Sequence, residues 1–359
     1  MKNNRHLQVF YKNREVGTLA INNKGLVAFQ YSDSWLENGF SISPISLPLS
    51  NEVFLPSKYD FDGLFGVFAD SLPDAWGRLV FDRMLQKNGI DPNSINVLDR
   101  LAIIGSSGMG ALEYQPEYSF TSNIATIDVD TLAQECERLM QSLPVEDIDA
   151  LFNRCGSSGG ARPKAFIKLD NEDWIVKFQY RYDLPDSGIR EYNYSLLAKK
   201  IGINMPETKL FESKISKGYF GIKRFDRPKI HMISAAALLE ADFERSSCDY
   251  AQLFKLTNYI TNGNKNDMQE LFRRMCFNVF INNQDDHLKN FSFLYDDVIG
   301  RWQLSPAYDL TDTATGYGQH ATTVNGKGLD INDEDLLIVG TTAGLSKKFC
   351  KEVIDSIHE

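Results

Sequence analysis

The sequence predicts an α+β protein of two lobes, β-rich toward its N-terminal side and largely helical after about residue 226. Three observations carry that expectation. Short alternating apolar runs separated by turn sequences fill the first thirty or so residues. Two further strand-like runs lie at 165–169 and 174–178, and from Ala235 onward apolar residues recur at helical spacing. At 359 residues the chain exceeds what one simple core usually serves, so two or three domains are expected.

Taken in order, residues 7–11, 16–20 and 26–31 read as strands. They are separated by Lys12-Asn13-Arg14-Glu15 and Asn22-Asn23-Lys24-Gly25, both good turn sequences, which makes an antiparallel meander. Residues 61–88 turn helical: Phe65, Phe68, Leu72, Trp76, Leu79, Val80, Met84 and Leu85 share a helical period, interrupted by Pro73 and stopped at Gly89. Residues 118–128 are polar and read as a linker. Helices are expected at 132–143, ended by Leu143-Pro144, and at 145–152. After the strand pair comes a helix at 191–201 with Tyr192, Leu196, Leu197 and Ile201 on one face, then strands at 209–211 and 219–225. Helices follow at 235–239, 250–259 and 268–282, and a last one near 347–357. No repeat of solenoid period is visible. The expected division is 1–116, 117–225 and 226–359.

Composition narrows the function classes. Hydrophobic content of 43% with 24% charged residues is ordinary for a globular protein. No apolar run is long enough to cross a bilayer, and Met-Lys-Asn-Asn-Arg-His leads straight into a strand pattern without a signal peptide. The cysteines at 136, 155, 248, 276 and 350 are odd in number and show no C-x-x-C, which argues against a disulfide framework or a zinc site and for a reducing cytoplasm. A net charge of −10 argues against the chain gripping nucleic acid by itself.

The chemistry concentrates in Asn282-Asn283-Gln284-Asp285-Asp286-His287-Leu288-Lys289-Asn290, followed by Ser305-Pro306-Ala307-Tyr308-Asp309-Leu310. Asp285 and Asn290 have the Asp-x-x-x-x-Asn spacing of kinase catalytic loops, in which the Asp serves the attacking hydroxyl and the Asn holds magnesium. Asp309 falls where such enzymes place a second magnesium carboxylate, and one carboxylate with one amide oxygen is a sufficient protein share for an ion that keeps several waters. Upstream stands Gly156-Ser157-Ser158-Gly159-Gly160-Ala161-Arg162-Pro163-Lys164, then a strand bearing Lys177. A glycine loop, a strand lysine, a catalytic loop and a magnesium carboxylate thus occur in the order phosphoryl transfer needs. Two decoys compete. Residues 156–160 also fit the G-x-S-x-G elbow of a hydrolase, with Asp309 and His320 later, but that elbow needs a strand before it and a helix after it. Gly105-Ser106-Ser107-Gly108-Met109-Gly110 is a second glycine loop, read as a tight turn.

Together these segments resemble the HipA-like serine/threonine kinases, toxin components of bacterial toxin–antitoxin modules. Val67 to Asp74 and Gly108 to Leu112 resemble the family's N-terminal coupling region. Ser157 to Ala165, Lys177, Arg224-Phe225-Asp226-Arg227, Asp285 to Asn290 and Tyr308-Asp309-Leu310 resemble its kinase core. The resemblance implies a bilobal protein-kinase-like fold, ATP with Mg²⁺, a protein Ser/Thr substrate such as an aminoacyl-tRNA synthetase, and a helix-turn-helix antitoxin linking the chain to operator DNA. It also implies autophosphorylation of the phosphate loop at Ser157 or Ser158. One departure is Lys223, where some relatives carry a Glu near the nucleotide.

The resulting assignments are Asp285 as the catalytic carboxylate, Asn290 and Asp309 as metal ligands, and Lys177, Ser157, Ser158, Gly159, Gly160, Lys164, Phe225, His287 and Lys289 as ATP-binding residues. Asp286 reads as a loop acid facing solvent, His287 as a residue that either locks the loop or touches nucleotide, and Glu191 as a candidate partner for Lys177. Two alternatives stay open: a kinase-fold binding module acting with a DNA-binding antitoxin, and a small-molecule phosphotransferase.

Overall fold

The computed structural model describes residues 3–118, 128–157, 159–180, 183–242, 248–314 and 318–358. The chain gathers into two units, Met1–Ile189 with Thr208–His231, and Arg190–Glu207 with Met232–Glu359.

The first unit opens with strands β1 (His6–Tyr11), β2 (Arg14–Ile21) and β3 (Val27–Tyr31), joined by tight turns as the sequence predicts. Helices α1 (Asp33–Asn38), α2 (Gly66–Ala69), α3 (Ala75–Lys87) and α4 (Val97–Ile104) follow. Strand β4 (Leu112–Gln115) then completes an antiparallel sheet of order β3-β2-β1-β4. The helical period expected over 61–88 becomes a continuous helix only from Ala75, because Pro73 has no N–H to extend one through it. That helix ends at Gly89, which takes a left-handed φ of 72°. At the head of α4, Asn96 and Asp99 form a reciprocal capping box, worth about 1 kcal/mol.

Helices α5 (Val129–Met140) and α6 (Ile148–Cys155) lead into strands β5 (Lys164–Leu169) and β6 (Glu172–Lys177). Helix α7 (Ser187–Lys200) intervenes before β7 (Thr208–Phe211) and β8 (Tyr219–Lys223), which finish a second antiparallel sheet of order β5-β6-β8-β7. Trp76, Phe81 and Met84 of α3, Leu132 and Cys136 of α5, Leu151 and Phe152 of α6, and Ala165, Trp174 and Val176 of the sheet form one buried apolar cluster. Each large member contributes about 1.5–3 kcal/mol by leaving water. The polar stretch expected as a linker lies mostly at 119–127, outside the described residues.

The second unit holds β9 (His231–Ser234), whose first residue belongs to the first unit, then α8 (Ala235–Leu238), β10 (Cys248–Asp249), α9 (Tyr250–Ile260) and α10 (Lys265–Phe280). Strands β11 (Ser292–Asp296), β12 (Arg301–Leu304) and β13 (Thr322–Thr323) and helices α11 (Asp333–Thr342) and α12 (Lys347–His358) complete it. The helical expectation for this half needs amending, since a three-stranded sheet of order β12-β11-β9 lies within it. Its strands are only four or five residues long, too short for alternation to stand out from the neighbouring helical pattern. The apolar face expected for α7 is borne out at Leu197 and Ile201, which pack against the core, and corrected elsewhere. Leu196 is exposed, while Glu191, Ser195 and Ala198 make the buried stripe. Counting apolar residues misses a buried face that carries a carboxylate and a hydroxyl.

Candidate functional site

The second unit assembles the acidic loop. After α10 the chain turns through Asn282, whose φ of 55° is left-handed, a conformation Asn tolerates. The buried Asn283 amide donates to Asn278 Oδ1 at 3.0 Å and to the Asp309 carbonyl at 3.1 Å. Gln284 N–H donates to the Thr313 carbonyl at 2.9 Å, and its own carbonyl accepts from Ala321 N–H at 2.9 Å. The loop is thereby fixed on both sides by main chain.

Adjacent aspartates then go opposite ways. Asp286 is fully buried, against the expectation that it faces solvent. Its Oδ2 accepts from the Tyr250 hydroxyl at 3.0 Å and pairs with His320 Nδ1 at 3.2 Å, and its Oδ1 accepts from Thr322 N–H at 3.1 Å. The Thr322 hydroxyl donates to the Asp286 carbonyl at 2.6 Å. Burial, and then the Asp286 charge, push the Tyr250 hydroxyl well above its ordinary range, so it stays a neutral donor. A buried carboxylate is tolerated only with such a set of donors.

Asp285 keeps 53% of its side chain exposed. His287 Nδ1 accepts from Lys289 N–H at 3.2 Å, which leaves Nε2 to carry the proton of the neutral ring, 3.8 Å from Asp285 Oδ1. His287 therefore caps the short turn Leu288–Asn290. The Asn290 amide nitrogen donates to the Asp285 carbonyl at 2.7 Å. That bond fixes which end of the amide is nitrogen, and Asn290 Oδ1 makes no hydrogen bond among the described residues. Asp309, at a left-handed φ of 55°, is joined to the same loop through Asn283, and the Tyr308 hydroxyl donates to the Lys289 carbonyl at 2.7 Å. Asp285, His287, Lys289, Asn290 and Asp309 thus share one local framework. An amide oxygen with no hydrogen-bond partner and a carboxylate are hard oxygen donors of the kind Mg²⁺ prefers, so this donor set fits the ion.

The first unit assembles the glycine loop. It follows α6 and precedes β5, the reverse of the strand–turn–helix context a hydrolase elbow needs, and His320 pairs with Asp286 instead of Asp309. Ser157 is buried, its hydroxyl donating to the Ser107 carbonyl at 2.9 Å. Ser158 lies outside the described residues. Gly160 takes a φ of 81°, and a Cβ there would come within 2.7 Å of Lys164 Nζ. Its N–H donates to Asp74 Oδ2 at 2.8 Å, and its carbonyl accepts from Trp76 N–H at 3.2 Å. Lys164 and Lys177 face each other across the β5–β6 ladder, with Lys177 Nζ 5.6 Å from the Phe220 ring centre.

The second glycine loop is more than a turn. Arg227 donates to the Gly110 and Gly108 carbonyls at 2.9 and 3.0 Å, Lys229 Nζ to the Ser106 carbonyl at 2.5 Å, and Gly110 N–H to Asp226 Oδ2 at 2.8 Å. Asp226 also pairs with Arg224 and Arg227, each at 2.7 Å. Burial raises the Asp226 carboxyl, but Arg224, then Arg227 and the Gly110 N–H, outweigh it and hold it below the usual range. The Arg-Phe-Asp-Arg segment and Lys229 together thus clamp residues 106–110, within which the Ser107 carbonyl receives Ser157; Phe225 in that segment is half-buried. Lys223 pairs with Glu172 on the neighbouring strand. No group of three metal-ligating side chains and no membrane-length apolar helix occurs among the described residues, and all five cysteines are buried thiols outside any disulfide.

Comparison with known proteins places this geometry in a family. The HipA-like C-terminal domain matches residues 156–359 and the HipA N-terminal domain residues 7–115. The former alone covers more than half the chain, and the chain belongs to the HipA-like family. A Sinorhizobium fredii protein named "Putative kinase Y4mE" is 28% identical over 86% of this chain and 77% of its own length. A second from that organism, Y4dM, is 29% identical over 52% of this chain and 49% of its own. The fold matches HipA of Shewanella oneidensis MR-1, solved with HipB and its operator DNA, at a TM-score of 0.73 and 19% identity, over 98% of this chain and 88% of that one.

Proposed function

We propose that the chain is an ATP-dependent protein serine/threonine kinase that acts as the toxin of a toxin–antitoxin module. The observation that carries this is the split between the two loop aspartates. Asp286 is consumed by its burial, which leaves Asp285 exposed beside Asn290, whose side-chain oxygen makes no hydrogen bond among the described residues. Asp285 would accept the proton of the attacking hydroxyl. Asn290 and Asp309 would hold Mg²⁺, which supplies charge neutralisation on the transferring phosphoryl group. Lys164, Lys177 and the Gly159 amide would bear on the ATP phosphates, and Phe225, His287 and Lys289 would line the nucleotide. Names of the Sinorhizobium relatives support phosphoryl transfer, and the Shewanella complex supports an antitoxin and operator DNA as partners; that the antitoxin is a helix-turn-helix protein follows from the family resemblance.

The division 1–116, 117–225 and 226–359 belongs to the same reading, its first boundary supported by a family domain that ends at 115. Autophosphorylation at Ser157 or Ser158 is proposed to need the Ser157–Ser107 bond broken first, because that hydroxyl is buried in it. The protein substrate, by family resemblance, is an aminoacyl-tRNA synthetase. The test is incubation of purified protein with γ-labelled ATP, Mg²⁺ and a whole-cell lysate. Labelled protein bands are expected with the wild type and absent with Asp285→Asn, and unlabelled lysate with the wild type would overturn the reading. Expression without the antitoxin should arrest growth, and arrest that persists in Asp309→Asn would favour the binding-module alternative.

A further inference from the structure

The glycine loop is held chiefly by the chain segment that precedes it by some eighty residues. Asp74 sits at the N-cap of α3, where a carboxylate usually accepts from the helix's own first amides, yet it makes no such bond. Its Oδ2 reaches instead to Gly160 N–H at 2.8 Å and would lie 3.2 Å from a Cβ on Gly159. The next turn reinforces the contact. Trp76 N–H donates to the Gly160 carbonyl at 3.2 Å, and its indole N–H to the Lys164 carbonyl at 3.0 Å with the ring wholly buried. Gly160 therefore has both main-chain polar groups fixed by residues 74 and 76, at the one described position of the loop whose backbone is left-handed.

We infer that Asp74 is a positioning residue for the phosphate loop, which sets the Gly160 peptide so that the Gly159 amide and the Lys164 ammonium are presented to the ATP phosphates. The contribution to nucleotide binding rests on the kinase reading; the hold on the loop does not. A carboxylate acceptor suits the task because charge-assisted hydrogen bonds are the stronger ones, and the buried indole fixes the turn from which the carboxylate projects. Asp74 touches no reacting atom in this account and acts through the loop alone.

The test uses the full chain and two readouts. Hydrogen exchange reads the loop directly: in the wild type the Gly160 amide should exchange at least about tenfold more slowly than that of Gly159, which makes no hydrogen bond among the described residues. Asp74→Ala should abolish this difference while β1 and β2 keep their protection, and Asp74→Asn, which retains an acceptor oxygen, should largely restore it. Calorimetric titration with ATP·Mg²⁺ should show Kd raised about ten- to a hundredfold by Asp74→Ala, the range expected for losing one hydrogen bond to a charged acceptor, and close to wild type for Asp74→Asn. Turnover at saturating ATP should change far less than KM. Equal exchange of the two glycine amides in the wild type would overturn the inference without any variant. So would Asp74→Ala with unchanged loop exchange and unchanged ATP affinity. A wild type that shows the exchange difference but binds no ATP would instead overturn the kinase reading and leave the hold on the loop standing.

Discussion

The two loops on which the proposed chemistry depends are secured in different proportions by side chain and main chain. The acidic loop at 283–290 has the main-chain bonds of Gln284 at its start and, in addition, a set of buried side chains: Asn283, Asp286, Tyr250, Asn278 and His320 form one connected set of hydrogen bonds beneath it. The glycine loop at 156–164 is pinned through the main chain of Gly160 and Lys164, at Asp74 and Trp76, and through one side chain, the Ser157 hydroxyl at Ser107. Side-chain networks in a dry interior are strong and specific, because leaving any member unpaired costs the full desolvation of that group. Hydrogen bonds between a loop backbone and the rim of another segment are individually modest and can exchange for bonds to a ligand. The contrast suits a group that must hold still for proton transfer and a loop that must admit and release phosphates.

The comparison can be broken by substitution. The largest loss of activity in the acidic framework, apart from Asp285, is expected at Asp309. Asp309→Asn keeps a residue that tolerates the left-handed backbone and leaves the carbonyl bond to Asn283 in place, so folding should be retained. Phosphotransfer should fall at least about a hundredfold, as measured with γ-labelled ATP. Asp286→Ala should act through stability. It strands Tyr250, His320 and Thr322 N–H in the interior, so a loss of at least about 3 kcal/mol is expected in denaturant titration.

The clamp on the second glycine loop gives a pH signature. Because the folded Asp226 carboxyl is held below its unfolded range, its contribution is complete above about pH 4 and is lost as pH falls through the lower folded value. Asp226→Asn should cost about 2–4 kcal/mol at neutral pH, and its unfolding midpoint should decline less on acidification than that of the wild type. The smallest effect is expected at Lys223. Its pair with Glu172 is partly exposed, so Lys223→Met should change stability by less than about 1 kcal/mol and leave ATP affinity within about twofold.

How much of this was legible in the sequence depends on the range of each interaction. The meander at 6–31, α6 and the β5–β6 pair follow from local signals, turn residues and short offsets, and they appear as expected. The direction of Asp286 did not, since its partners Tyr250, His320 and Thr322 lie more than thirty residues away on either side. The same holds for Asp74, whose contact with Gly160 spans 86 residues. Arg224, Asp226 and Arg227 were visible as a charged motif, but only the fold shows that they grip residues 108–110. Lys223, which stood out as a departure, has a local answer in a strand neighbour.

The central claim is that the exposed aspartate does the chemistry and the buried one holds the loop, and a single pair of purified variants tests it. Phosphate transfer from γ-labelled ATP and the unfolding midpoint are measured together for Asp285→Asn and the wild type. The account predicts a fall in turnover of at least about a hundredfold with the midpoint unchanged. Turnover near that of the wild type, in protein that remains folded, would contradict it.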